Sequence, residues 1–313
     1  MIALVCPGQG SQTPGFLAPW LELPGLRAQA EALSDAAGVD LVTHGTTSDA
    51  DTIRDTAVAQ PLIVGAGLLA LDALYADSPD TLASSAGVVA GHSVGEITAA
   101  AATGVLTPQD AMSLVSLRGR AMAEASAITP TGMSAVLGGD PAEVAAALDR
   151  HGLTPANMNG AGQVVAAGTL DQLAALAADP PAKTRVIPLQ VAGAFHTVHM
   201  APAADELSAE WSDHDVSDPG VTLLSNTDGV AVATGAEFLG RLISQVRNPV
   251  RWDLCMETMT ELGVTGLVEL APAGTLVGLA KRAMKGVPTV ALKTPDDLDA
   301  ARELLAASTS AKA

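Results

Sequence analysis

Gly91-His92-Ser93-Val94-Gly95 is the stretch around which the rest of the chain is organised. It follows a short apolar run, Ala86–Ala90, and precedes a helix-forming stretch, Glu96–Ala102. A G-x-S-x-G pattern between a strand and a helix predicts a nucleophile elbow, a sharp turn that holds the serine hydroxyl clear of the sheet. The glycines on either side lack the Cβ atoms that would keep strand and helix apart. The alternative is a glycine-rich turn with an incidental serine.

The composition of the 313-residue chain excludes several classes of protein. A net charge of −18 argues against a nucleic-acid partner, which would require a basic surface. No apolar run reaches the roughly 18 residues that span a bilayer, and the N-terminus lacks the basic segment of a signal peptide. Cys6 and Cys255 lie outside any Cys/His cluster, so neither a disulfide nor a metal site is expected. We therefore expect a cytoplasmic protein without a membrane partner.

The N-terminal apolar run Ile2–Cys6 predicts a strand that is buried on both faces. It leads into Pro7–Gln12, a glycine-rich loop at the place where open α/β sheets bind ligands, although an ordinary tight turn is the alternative. Residues 26–76 have a helical pattern. Its most apolar part begins at Gln60-Pro61, which places the proline in a first helical turn. A helix that is apolar all round should lie inside the domain.

A helix that starts at Thr107-Pro108 and runs to about Ser126 carries an arginine on its apolar face. Arg118 shares that face with Ala111, Leu114, Val115 and Met122, whereas Arg120 lies on the polar side. A guanidinium that points at a core needs an anion, which it binds in a two-pronged fork. The partner is either a structural Asp or Glu or the carboxylate of a substrate.

The pattern changes after Thr129–Gly132 and predicts an inserted unit. Strand, helix, strand, strand, helix and strand are expected over Met133–Leu137, Pro141–His151, Thr154–Asn159, Gln163–Ala167, Leu170–Ala178 and Lys183–Val191. This β-α-β-β-α-β order is that of a ferredoxin-like unit. We predict an α/β fold in which residues 1–128 and 197–313 form an α/β-hydrolase-like large domain with a mostly parallel sheet. Residues 129–196 would form the ferredoxin-like small subdomain.

The last third of the chain holds further strand and helix patterns. Strands are predicted at Val221–Ser225, Gly266–Leu270 and Thr289–Lys293, and helices at Phe238–Val246, Arg251–Leu262 and Pro295–Ala307. Among the histidines, His196 and His199 are the best candidates for a base, and His196 follows an apolar strand that can aim a side chain into a cleft. A hydrogen-bonded structural histidine is the alternative. His92 should project away from Ser93 across the turn.

Seven motifs together make the sequence resemble the malonyl-CoA:acyl-carrier-protein transacylases, which load the carriers of fatty-acid and polyketide synthesis. They are Pro7–Gln12, Gln60-Pro61, Gly91–Glu96, Arg118–Met122, Gly193–His196, Asn248–Trp252 and Gly274–Arg282. Each motif is modest alone, but the seven occur in the family's order and cover essentially the whole chain.

The resemblance implies a covalent mechanism. Ser93 would attack the thioester and carry the malonyl group as an ester, while His196 would take its proton and later activate the incoming thiol. The family lacks a triad carboxylate, and the backbone carbonyl of Gln245 is at the position that would orient the histidine. The N–H groups of Gln9 and Val94 would form the oxyanion hole.

The resemblance also implies how the substrate is selected. Arg118 would hold the free carboxylate of the malonyl unit, and the pocket would be lined by Met122, Phe195, Asn159 and His92. Turn chemistry beside the hairpin at Gly160–Gly162 is an alternative reason for Asn159. The ring of Phe195 would leave no space for a methyl branch, so malonyl should be preferred over methylmalonyl, with partial discrimination.

The implied partners are malonyl-CoA and an acyl carrier protein, with no cofactor beyond the CoA thioester itself. Carrier proteins are acidic, and so is this chain, so a local basic patch is needed for docking. Lys281, Arg282 and Arg251 are the candidates, and a solvated face or internal ion pairs are the alternatives. We expect a monomer. The rival functions are an acyl-CoA hydrolase or thioesterase that uses the same serine, and an inert acyltransferase-like binding protein.

Overall fold

A computed structural model describes residues 1–76, 78 and 81–309 of the chain. Its strands are β1 (Ile2–Cys6), β2 (Val88–Gly91), β3 (Thr131–Gly138), β4 (Thr154–Met158), β5 (Gln163–Thr169), β6 (Thr184–Pro188), β7 (Thr222–Leu223), β8 (Val250–Arg251), β9 (Gly266–Glu269) and β10 (Thr289–Ala291). The first seven α-helices are α1 (Ala18–Leu21), α2 (Leu26–Ala37), α3 (Leu41–Thr46), α4 (Thr56–Tyr75), α5 (Leu82–Ser85), α6 (Gly95–Ala102) and α7 (Pro108–Ile128). The others are α8 (Pro141–Arg150), α9 (Leu170–Ala178), α10 (Ala201–Trp211), α11 (Gly235–Gln245), α12 (Trp252–Glu261), α13 (Thr275–Ala283) and α14 (Leu298–Thr309).

The first sheet is parallel throughout, in the order β10-β9-β1-β2-β7. β1 lies in its middle and all of its residues are buried, as predicted for a strand that is covered on both faces. Because β1 and β2 run in the same direction, Cys6 pairs with Gly91 at their carboxyl ends. The glycine-rich loop after β1 and the turn that carries Ser93 therefore emerge side by side at one edge of the sheet. An α/β fold with a mostly parallel sheet is confirmed.

The second sheet has the order β6-β3-β5-β4-β8. Its first four strands pair antiparallel, and with α8 and α9 they follow the predicted β-α-β-β-α-β order along the chain. β8 pairs parallel to β4 and comes from outside the predicted insert of residues 129–196. Val136, Leu148, Leu153 and Leu176 belong to a separate small core between this sheet and its helices.

Several predicted boundaries are wrong for local physical reasons. α4 begins at Thr56, where the Asp55 side chain accepts the Ala57 N–H at 2.9 Å, so Pro61 lies inside the helix and not in its first turn. The strand predicted at Val221–Ser225 shrinks to β7; the next residue, Leu224, still donates its N–H to the Val89 carbonyl at 3.0 Å and also bridges to Ala231. The strand predicted at Lys183–Val191 is β6, which ends at Pro188; beyond it the Leu189 N–H still donates to the Met133 carbonyl at 2.9 Å.

α4 is the one helix in the described part of the chain that is long and apolar enough to cross a membrane. However, 78% of its most apolar window is buried inside the fold. It packs against α6 and α7, as predicted for a helix that is apolar all round. α4 is therefore read as a core helix.

Candidate active site

Ser93 stands on the sharp turn between β2 and α6. Its φ of 54° lies in the left-handed region that strains any residue except glycine. A Cβ on Gly91 would lie 2.0 Å from the carbonyl carbon of Gly95, and one on Gly95 would lie 2.2 Å from the carbonyl oxygen of Cys6. Because backbone atoms cannot move aside at little cost, the turn requires glycine at both positions. The geometry is that of the predicted elbow.

His196 reaches the serine from a distant part of the chain. Its Nε2 lies 2.8 Å from Ser93 Oγ, and its Nδ1 lies 2.9 Å from the backbone carbonyl oxygen of Gln245. Since a carbonyl oxygen can only accept, Nδ1 carries the hydrogen and Nε2 is the acceptor that faces the hydroxyl. Burial, and then the charge of Arg118, lower the pKa of His196 to about 3, so the ring is neutral at pH 7.

Arg118 projects from α7 into the same place and is 1% exposed. Its Nη1 donates to Gln60 Oε1 at 2.6 Å and its Nη2 donates to Ser93 Oγ at 3.2 Å. Both acceptors are neutral, and no carboxylate of the described residues forms an ion pair with this guanidinium. Burial lowers the pKa of Arg118 to about 10, which still leaves it charged. A buried cation with only neutral partners is prepared to receive an anion from a ligand.

Gln9 and Val94 line the cavity that contains Ser93. Over the described ranges, neither backbone N–H donates a hydrogen bond within the protein. The N–H of Ser93 itself is occupied, because it donates to Asn226 Oδ1 at 2.8 Å. The two free N–H groups are therefore the ones available to a negatively charged oxygen next to the serine.

The cavity has a volume of about 230 Å³ and lies between the two sheets. The pocket residues predicted from the sequence, Met122, Phe195, Asn159 and His92, all line it. His92 Nε2 lies 2.9 Å from Asn159 Oδ1, so the ring bonds across to the residue after β4 rather than to the serine. His199, the other candidate base, lies on the 3-10 turn Val198–Met200 and is not part of the lining.

Three further residues complete the site, and none of their roles was predicted from the sequence. Gln60 orients Arg118, as described above. Glu96 is 1% exposed; its Oε1 accepts the Asn226 N–H at 2.7 Å and its Oε2 accepts from Gln245 Nε2. Gln60 and Glu96 could have been noticed as polar residues in otherwise apolar helical stretches. Asn226 offered no such signal, because an asparagine after a strand is ordinary turn chemistry.

The three candidate docking residues differ in their surroundings. Arg251 makes two hydrogen bonds to the Asp253 carboxylate, at 3.0 and 2.9 Å, so its charge is balanced within the chain. Lys281 and Arg282 are exposed in the last turn of α13. That helix lines the cavity through Thr275, Leu276 and Leu279. Arg282 donates to the neutral Gln163 Oε1 at 3.0 Å and keeps its charge available.

Known proteins that resemble this chain match it over nearly its whole length, and they agree in the activity that their names give. The acyl transferase domain family matches residues 3–307. The malonyl CoA-acyl carrier protein transacylase of Mycobacterium bovis is 55% identical over 299 residues, which cover 96% of this chain and 98% of that protein. The crystal structure of MCAT from Mycobacterium tuberculosis is similar with a TM-score of 0.92 and 54% identity, covering 97% of this chain and 99% of that one. A malonyl-transacylase solved in complex with its type II polyketide-synthase acyl-carrier protein is similar with a TM-score of 0.89 and 30% identity, covering 96% and 99%.

Proposed function

The chain belongs to the acyl transferase domain family, and we propose that it transfers the malonyl group from malonyl-CoA to the phosphopantetheine thiol of an acyl carrier protein. The transfer passes through a malonyl ester on Ser93. Near-complete coverage of a relative at 55% identity supports the reaction class and the two partners. The intact serine, histidine and arginine of the site argue against an inert binding protein.

One observation carries the choice of substrate: the buried guanidinium of Arg118 beside the serine hydroxyl, hydrogen-bonded only to neutral groups. An enzyme for simple acyl groups has no use for a buried charge at this position. A malonyl thioester has a carboxylate at the far end of a three-carbon unit. That carboxylate can take the place of the serine hydroxyl on Arg118 and bind it in a two-pronged fork.

The geometry supports the first half-reaction as follows. His196 Nε2 removes the proton of Ser93 Oγ while that oxygen bonds to the thioester carbonyl carbon. The carbonyl oxygen becomes negative and accepts hydrogen bonds from the N–H groups of Gln9 and Val94, each worth about 3 kcal/mol of the barrier in comparable sites. The C–S bond then breaks, and the imidazolium returns its proton to the sulfur of CoA.

The second half-reaction reverses these roles with a new thiol. The carrier thiol loses its proton to His196 Nε2 and its sulfur bonds to the ester carbonyl carbon. The bond to Ser93 Oγ breaks, and the serine recovers the proton. Holding the malonyl carboxylate on Arg118 fixes the ester in the cleft and leaves little room for water, which favours transfer over hydrolysis.

Several finer features belong to the same proposal. We assign residues 1–128 and 197–313 to an α/β-hydrolase-like domain and residues 129–196 to a ferredoxin-like subdomain; the strand order β6-β3-β5-β4 supports the latter. Phe195 restricts the space beside the substrate α-carbon and favours malonyl over methylmalonyl. Catalysis uses no metal or cofactor. The cytoplasmic location and the monomeric state stay predictions.

The test is to mix the protein with malonyl-CoA and measure its intact mass, followed by addition of a phosphopantetheinylated carrier protein. We expect a malonyl adduct on Ser93 that is absent in Ser93→Ala and disappears when the carrier is added. Release of free malonate without carrier would instead indicate a hydrolase. Failure of the wild-type protein to form any adduct would reject the covalent mechanism.

A further inference from the structure

Glu96 is a buried carboxylate that takes no part in the reaction as described above. It lies in the first turn of α6, three residues after the nucleophile, on a helix whose other buried residues are Gly95, Ile97, Thr98, Ala99 and Ala100. Both of its oxygens accept hydrogen bonds, one from the backbone N–H of Asn226 and one from the side-chain amide of Gln245. Ionised groups are seldom buried unless such partners stabilise them.

Each partner of Glu96 leads directly to a reacting residue. Gln245 accepts from His196 Nδ1 through its backbone oxygen at 2.9 Å. Asn226 Oδ1 accepts the Ser93 N–H at 2.8 Å and also accepts from Gln245 Nε2 at 3.2 Å. The Asn226 amide donates to the Gly91 carbonyl at 2.7 Å, on the other side of the elbow. The carboxylate thus connects the elbow, the loop after β7 and the end of α11.

We propose that Glu96 is a positioning residue for acyl transfer, which holds Gln245 and Asn226 so that His196 and Ser93 stay in reacting geometry. The assignment rests on the proposed function. A carboxylate is required because both partners present N–H donors to it, and only an ionised acid offers two acceptor oxygens at this position. A glutamine at position 96 would place its own NH₂ group next to one of these two donors. Two N–H groups would then face each other in a buried site, and neither would have an acceptor.

The protonation state of Glu96 provides a readout that simple packing would not affect. Burial raises the pKa of Glu96 to about 8, against the hydrogen bond from Asn226, the charge of Arg118 and the hydrogen bond from Gln245. The other charged or titratable groups that act on it are Arg241 on α11 and Cys255 on α12, whose thiol pKa burial raises. A protonated Glu96 would place an O–H against a donor, so the network should form fully only as pH rises past the pKa.

The experiment measures the first half-reaction alone, as single-turnover formation of malonyl-Ser93 between about pH 6 and 9. No thiol acts as nucleophile in this step, and the low pKa of His196 keeps that ring neutral over the whole range. The variants are Glu96→Gln, Gln245→Met and the double variant. Gln245→Met keeps the backbone carbonyl that faces His196. Thr98→Val is the matched control, since Thr98 is buried on the same helix and packs toward Gly67.

We expect each single variant to lower the acylation rate constant by roughly 10- to 100-fold, with the apparent dissociation constant of malonyl-CoA changed by less than about twofold. The double variant should be no slower than the slower single variant, because both remove one link. The wild-type rate should rise with pH through about 8, and this rise should vanish in Glu96→Gln. Thr98→Val should behave as wild type.

Acylation of Glu96→Gln at the wild-type rate would overturn the inference, as would a double variant that loses the product of the two single effects. If Glu96→Gln does not fold, Gln245→Met decides, and an unchanged rate in that variant also overturns it. A wild-type protein that forms no adduct would instead defeat the proposed function, so the two failures are distinguishable.

Discussion

In the proposed function, the guanidinium of Arg118 receives a group that arrives with the substrate. Gln60 fixes one of its nitrogens, and the other donates to the oxygen that is to react. Taking a cation out of water is unfavourable, and burial lowers the pKa of Arg118 against the opposing charge of Glu96. A bound carboxylate would remove this penalty and release Ser93 Oγ for attack. In the proposed reaction, substrate recognition and activation of the nucleophile would thus be coupled at one residue.

Replacing Arg118 by alanine should therefore affect malonyl-CoA far more than acetyl-CoA, which lacks the carboxylate. Two charge-assisted hydrogen bonds at about 1.5–3 kcal/mol each predict a loss in kcat/KM for malonyl-CoA of about 100-fold or more. Arg120→Ala is the control, because that arginine is half exposed and pairs with Glu206 at 3.6 Å. Steady-state kinetics with both thioesters would measure the ratio. Equal losses for the two substrates in Arg118→Ala would contradict carboxylate binding.

Single residues of the site could be predicted where they break a local pattern. Ser93 interrupts a glycine-rich turn, and Arg118 interrupts an apolar helical face, so each is visible within a window of a few residues. The roles of Glu96 and Asn226 are relations between segments that lie 130 positions apart in sequence. A local pattern contains no information about such a pair. The hydrogen bond from His196 to a backbone oxygen is hidden for the same reason, and only the resemblance to a family pointed to Gln245.

At the scale of elements, the elbow depends on close contact between β1, β2 and α6. α6 can start directly behind the sheet because Gly95 presents no side chain to the carbonyl oxygen of Cys6. The same contact places the N-terminus of α6 beside the cavity, which Val94 lines from the position just before the first turn. The absence of a side chain on Gly95 thus determines where the Ser93 hydroxyl lies.

Gly95→Ala should destabilise the protein by more than about 3 kcal/mol, because its Cβ would meet the backbone of β1 and the elbow would have to open. Gly240→Ala is the matched control: Gly240 is exposed inside α11, with nothing within 4 Å of the added Cβ. That substitution should stabilise the protein by about 0.5–1 kcal/mol. Urea denaturation of the two variants would measure the difference. Similar free energies of unfolding for Gly95→Ala and the wild type would contradict the steric argument.

Among the elements, long segments with clear periodicity could be predicted and short segments with distant partners could not. α9 occurs at the predicted residues, because its pattern and its capping box are both local. β8 was not predicted, since two residues have no period and their partner strand β4 lies far away in sequence. β7 was predicted too long because the apolar run through Leu224 contains no sign that this residue also bridges to Ala231.

At the scale of the whole molecule, the two sheets form a cleft that must admit two substrates in turn. The order of strands and helices along the chain indicates the fold class, but strand neighbours such as β2 and β7 result from packing between distant segments.

The net charge of the chain raises a separate question about how the carrier protein binds. With a net charge of −18, the chain as a whole repels an acidic carrier protein. Many arginines are also balanced locally, as Arg251 is by Asp253 and Arg247 by Asp205.

Lys281 and Arg282 are the exposed charges on α13, the helix that lines the cavity, so we expect them to guide the carrier to it. Reversing both to glutamate should raise KM for the carrier protein by roughly 10-fold at low salt and leave KM for malonyl-CoA unchanged. The difference should shrink as salt screens the charges. Reversal of Arg27 and Arg185, both exposed on other elements, changes the net charge equally and controls for general repulsion. Melting curves of the variants would show whether removing two cations from the C-terminus of α13 also destabilises the fold, which is a separate effect from docking. An equal increase of KM in the control pair would show that total charge, and not this helix end, governs the encounter.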